Sequence, residues 1–261
     1  MTFIEIHGRK YAFDETQPID ASIPLNFNGP QPNAYRVESA ASKPVETSDM
    51  VGDTRRGGSV NFEQYTFIPH CNGTHTECVG HITNERISVQ DCLKDIFVLA
   101  NLVSVEPEKD DRGDLLITKT GLQNVGVKPP ASAGGSDALI VRTLSNDHSK
   151  LTRKYGDGNI PPYFTTEAME FIVECEFKHL LVDMPSIDRL FDEGKLSNHR
   201  IFWNVELASF KTHADTRIYS TITELIYVPN GVADGNYLLN LQIAPFVSDA
   251  SPSRPILFRI S

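Results

Sequence analysis

Two short stretches constrain the fold most. Residues 138–142 and 180–183 are continuous apolar runs up to a closing charged residue, Arg142 and Asp183, with no alternation of apolar and polar side chains before it. A strand with one face in water alternates, whereas a strand covered on both faces does not, so both belong inside a covered sheet. Between them, residues 166–178 carry a helical pattern. Ala168, Phe171, Ile172 and Cys175 fall at i, i+3, i+4 and i+7 and make one apolar stripe. Thr165 or Thr166 serves as N-cap, and Glu167 and Glu170 occupy the first turn, where the helix dipole favours negative charge. Lys178 and His179 suit the C-terminal end. Further strands are expected at 60–68, 96–105 and 237–245. Strands alternating with few helices imply an α/β or α+β fold, a single domain over residues 1–261 with a mixed sheet and flanking helices. Residues 27–59 stand apart. Pro30, Pro32, Pro44 and the Gly57-Gly58 pair make this stretch loop-rich and long, which fits a lid or an arm onto a partner subunit.

The chemistry is concentrated in residues 70–81. These twelve positions hold His70, His75 and His81 of the chain's eight histidines, Cys71 and Cys78 of its four cysteines, and Glu77. Such side chains bind transition metals and move protons. In an extended strand, residues two apart face one side, so His75 and Glu77 can point at one centre. Gly73 lets the chain fold back and bring in a donor from just upstream, Cys71 or His70. A histidine, a carboxylate and a thiolate or second histidine suit Zn²⁺, with Mn²⁺ the alternative.

Composition narrows the rest. A formal net charge of −10, without a basic patch interleaved with aromatics, argues against a nucleic-acid binder. No apolar run has the length of a membrane span or a signal peptide, and four cysteines do not form a disulfide framework, so cytoplasmic residence is expected. Cys92 and Cys175 fall within apolar patterns and read as core, as does Trp203, the single tryptophan. Asp183 and Asp188 read as turn caps.

The segment Gly73-Thr74-His75-Thr76-Glu77-Cys78-Val79-Gly80-His81 resembles the His-x-Gly-Thr-His-x-Asp-x-Pro-x-His signature of the putative cyclase family, which includes bacterial kynurenine formamidase and isatin hydrolase. Companions follow in the same order. Asp137 to Thr143 resembles the family's strand ending in Arg-Thr, and Thr165 to Glu170 its helix start. Asp183-Met184-Pro185-Ser186-Ile187-Asp188 resembles its Asp-x-Pro-Ser-x-Asp loop, and Asn198-His199-Arg200 its downstream histidine segment. Thr223-Glu224-Leu225 resembles its Glu-x-Leu strand. The signature's aspartate is Glu77 here, one methylene longer, and Val79 replaces its proline. Counted without a gap, Cys71 takes the place of its first histidine; with one residue inserted, His70 does.

The resemblance implies a swivelling β/β/α-like fold and a homodimer acting on a small-molecule substrate. It implies metal ligands at Cys71, His75 and Glu77, and acid/base or second-metal roles at His81, His199 and Glu224, with His213 the alternative to His199. The implied reaction is metal-dependent hydrolysis of an amide C–N bond, in an N-formyl aryl amine or a cyclic amide. A lactone hydrolase, a dehydrating cyclase and a non-catalytic metal-binding protein with a closed, thiolate-rich site are the alternatives.

Overall fold

The computed structural model describes residues 1–129 and 135–261. Its centre is a curled nine-stranded mixed sheet. In spatial order the strands are Ala250–Pro252, His75–Glu77, Thr221–Glu224, His179–Val182, Ala138–Thr143, Phe97–Val105, Gly235–Asn240, Ile256–Arg259 and Ile19–Asp20. The four from Thr221–Glu224 to Phe97–Val105 run parallel and the flanking strands pair antiparallel.

The unbroken apolar runs are explained by what lies on each face. Leu139 and Val141 join Leu180, Val182 and Ile222 in a cluster under the Thr166–Glu174 helix. Ala138 and Ile140 point the other way, to Leu102, Leu181, Tyr237, Leu239 and Leu257. Both faces are therefore covered. The helix buries Ala168, Met169, Phe171 and Ile172, and the Thr165 hydroxyl caps it by accepting from the Ala168 N–H. It ends at Glu174, four residues before the expected end, because Glu176 adopts a left-handed φ of 62°. Lys178 and His179 consequently leave the helix. The Lys178 N–H donates to the Asp137 carbonyl at 2.8 Å, and His179 opens a central strand.

The strand expected over 60–68 is shorter. Only Glu63–Thr66 is extended, paired with Ala41–Pro44 in a small separate sheet. The chain then turns through a single helical turn, Pro69–Asn72, whose first position holds the proline that such a turn tolerates best. Within residues 27–59, two positions bond to the turn that carries His70 and Cys71. The Ala34 N–H donates to the Cys71 carbonyl, and Asn72 Nδ2 donates to the Glu38 carbonyl. No helix among the described residues is long and apolar enough to cross a membrane.

Candidate metal centre

Strand register assembles the first donors. His75–Glu77 lies between Thr221–Glu224 and Ala250–Pro252, with His75 opposite Glu224 and Glu77 opposite Ile222. Alternation puts His75, Glu77 and Glu224 on one face, while Thr76 and Thr223 meet on the other with hydroxyl oxygens 2.8 Å apart. His75 Nε2 lies 3.4 Å from Glu224 Oε2, and Glu224 Oε1 accepts the Ile187 N–H at 3.1 Å.

Three more imidazoles reach Glu77. His70 Nδ1 stands 3.0 Å from Glu77 Oε2, off the line a hydrogen bond needs, and His81 Nε2 stands 3.9 Å from the same oxygen. His199 arrives from the Ser197–Trp203 helix with Nε2 3.0 Å from Glu77 Oε1. Its other nitrogen donates to Asp188 Oδ2 at 2.6 Å, and the Asp188 carboxylate also accepts the backbone N–H groups of Asn198 and His199. Two groups of donors converge within 4.8 Å: His70, Glu77 and His81, and His75, Glu77 and Glu224. Glu77 belongs to both.

The electrostatics follow from this crowding. Burial opposes a charge on His70, but hydrogen bonding to Asp249 and the nearness of Glu77 overcome it and lift the imidazole to about 10. His199 is raised well above the usual histidine value in the same way, its burial outweighed by Asp188 and Glu77. Glu77 is fully buried, which would raise its carboxyl, yet the surrounding His81, His199 and His70 hold it well below the carboxylate range. Glu224 is raised, by burial first and the Glu77 charge second.

Among the donors of the cluster, two buried atoms, His75 Nε2 and Glu77 Oε2, have no hydrogen-bond partner. Leaving such groups unpaired costs about 1–3 kcal/mol each, so native proteins rarely do it without a ligand. Two donors on one zinc ion, with tetrahedral bonds of about 2.0–2.1 Å, stand roughly 3.3 Å apart. The 3.4 Å between His75 and Glu224 has that spacing. The donor set fits a divalent metal.

The geometry separates the two candidate upstream donors. Cys71 lines the same cavity but belongs to neither donor group, and burial, then the Glu224 charge, pushes its thiol up to about 11. Neighbours in a helical turn point about 100° apart, so the Pro69–Asn72 turn sends His70 toward Glu77 and Cys71 to the wall. His213 lies outside the cluster, where its ring nitrogen accepts from the Asp215 N–H. Cys78, Cys92 and Cys175 are buried in apolar surroundings. Trp203 packs 5.5 Å from the His199 ring and donates to the Ser220 carbonyl, which makes it core. Asp183 accepts from the Thr143 N–H and from Lys150 Nζ, bracing the C-terminal ends of two central strands. The sequence reading missed Asp249, 2.9 Å from His70 Nε2, and took Asp188 for a turn cap only. Asp249 lies 172 positions beyond Glu77, and no local pattern marks it.

The model of the putative cyclase family matches residues 13–189, more than half of the chain. The chain belongs to this family. The matched stretch contains the 70–81 donors and Asp188, while His199 and Glu224 follow it. Among putative cyclase relatives, the kynurenine formamidase of Bacillus cytotoxicus is 27% identical over 92% of this chain and 96% of its own. That of Bacillus cereus (strain ATCC 10987) is 28% identical over the same shares. The fold is shared with a Bacillus stearothermophilus protein described as a predicted metal-dependent hydrolase, with a TM-score of 0.62, 14% identity, and coverage of 93% of this chain and 98% of that one. It is also shared with isatin hydrolase A of Labrenzia aggregata, with a TM-score of 0.60, 14% identity and 93% of each chain covered.

Proposed function

We propose that this protein is a metal-dependent hydrolase that cleaves an amide C–N bond in a small substrate, an N-formyl aryl amine or a cyclic amide. The observation that carries the reading is the convergence of His70, His75, Glu77, His81 and Glu224 around two unpaired buried atoms. The kynurenine formamidases, matched over nearly their whole length, support the substrate class.

In this reading His70, His75, Glu77 and Glu224 hold the metal, with His199 reaching both carboxylates at 3.0 and 3.8 Å. Glu77 is common to both donor groups and would serve a second ion as well. Imidazole-rich borderline donors favour Zn²⁺; with no thiolate in the set, Mn²⁺ is the alternative. A metal held there would supply a water of lowered pKa and a Lewis acid for the carbonyl oxygen. His81 is the proton carrier. Its side chain is 28% exposed on the cavity wall, and among the imidazoles facing Glu77 it stands furthest off, at 3.9 Å. It takes a proton from the attacking water and returns it to the leaving nitrogen. Asp188 orients the His199 ring through Nδ1.

A cavity of about 300 Å³, open beside the donors and walled by Tyr35, Val37, Pro185 and Leu196, receives the substrate. That opening, and the position of Cys71 outside both donor groups, speak against a closed thiolate site. The four free cysteines support the cytoplasmic part of the reading. The exposed Val60, Phe62 and Tyr65 support the homodimer.

The test pairs metal analysis with turnover. Purified protein is expected to hold stoichiometric zinc or manganese and to hydrolyse N-formylkynurenine or isatin in preference to small lactones. His75→Ala is expected to lose both properties. A wild type without bound metal sinks the reading.

A further inference from the structure

One carboxylate outside the donor groups touches two of the imidazoles. Asp249 Oδ2 lies 2.9 Å from His70 Nε2 and 3.3 Å from His81 Nδ1. The two rings stack with centroids 4.3 Å apart, so the carboxylate sits across their outer edges. It leads into the Ala250–Pro252 strand, which pairs with His75–Glu77, and its own carbonyl accepts the Cys78 N–H at 3.0 Å. Its backbone is thereby tied to the strand that carries Glu77.

A carboxylate only accepts hydrogen bonds, so each nitrogen that faces it must bear the proton. With a metal bound, His70 then keeps its proton at Nε2, which leaves Nδ1, 3.0 Å from Glu77 Oε2, for the ion. His81 is protonated at Nδ1, which leaves the Nε2 lone pair on the cavity side. The same oxygen therefore selects opposite tautomers in two adjacent histidines. A ligating histidine commonly gives its second N–H to such a carboxylate, which fixes ring orientation and raises ligand basicity. A histidine that accepts a proton through Nε2 needs that nitrogen bare.

We propose that Asp249 is the positioning residue that sets both tautomers, holding His70 Nδ1 ready for the metal and His81 Nε2 ready for the proton. The inference rests on the metal-dependent reading above. Asp249 itself touches neither metal nor substrate in this assignment.

The test uses zinc-loaded wild type, Asp249→Asn and Asp249→Glu. Asp249→Asn keeps the size and the backbone bond to Cys78, so its fold is checked by an unchanged urea midpoint within the spread of replicates. In wild type, long-range ¹H–¹⁵N spectra are expected to report Nε2–H for His70 and Nδ1–H for His81. In Asp249→Asn, His81 is expected to shift toward the Nε2–H form. Zinc affinity should fall about 10–100-fold, and kcat should fall with KM little changed. Asp249→Glu should restore the tautomers in part. Wild-type tautomers together with zinc affinity within twofold in Asp249→Asn overturn the assignment, although the metal reading survives. A wild type that binds no zinc overturns the metal reading, and this inference with it.

Discussion

Glu77 is the residue on which the most contacts converge. Its two oxygens face His70, His81 and His199, and it is fully buried. A neutral amide of the same size keeps the packing and removes the charge. Glu77→Gln is therefore expected to lose metal affinity by on the order of 10²-fold or more, since a ligand should matter at least as much as its supports. Isothermal titration with zinc measures this. Cys71 and His70, adjacent in the chain, separate cleanly in the same assay. Cys71→Ser should retain full metal stoichiometry, because the thiol stands outside both donor groups. His70→Ala should reduce it. The reverse result would restore Cys71 as first ligand.

At the scale of elements, the centre depends on a three-residue strand held on both sides. His75–Glu77 has Thr221–Glu224 on one edge and Ala250–Pro252 on the other. The parallel strands behind it owe their position to the helices on one face. Thr165→Ala removes the hydroxyl that caps the Thr166–Glu174 helix and should cost about 1 kcal/mol. It should lower the urea midpoint with an unchanged m-value and leave metal content intact. These elements were legible in advance for a plain reason. The runs at 138–142 and 180–183 and the stripe Ala168, Phe171, Ile172 and Cys175 report burial within a few residues of chain. Where the reading failed, the cause lay beyond that range. The left-handed Glu176 closes the helix early, and the strand expected over 60–68 gives way to a helical turn at Pro69.

Across the whole molecule, a second histidine–carboxylate pair ties the far end of the sheet. His179 gives Nδ1 to a contact with Thr221 Oγ1 at 2.8 Å and Nε2 to Asp95 at 3.2 Å. Burial lowers the His179 pKa, more than Asp95 raises it. Asp95 is held below the usual carboxylate value, first by His179 and then, against its own burial, by Lys178. Both groups have folded-state pKa values below their unfolded ones, near 6.5 and 3.9. Each contributes stability that is present above the unfolded value and lost as pH falls through the folded one. The metal-loaded protein should lose stability from pH 7 to 5 through His179 and lose more below pH 4 through Asp95. Urea midpoints across this range measure it. His179→Gln should flatten the upper limb; an unchanged slope would remove His179 as the cause.

The chain's order alone determined the covered sheet, the helix between its central strands, and the choice of His75 and Glu77 as partners on one strand face. Those features arise from neighbours a few positions apart, where periodicity and side-chain type suffice. Only the tertiary structure decided that His70 rather than Cys71 faces Glu77, that His199 rather than His213 completes the cluster, and that Asp188 and Asp249 hold its rings. Two of these contacts, His199 with Glu77 and His70 with Asp249, join residues 122 and 179 positions apart. Their formation depends on strand register and on the direction of one helical turn, and neither leaves a local mark in the sequence.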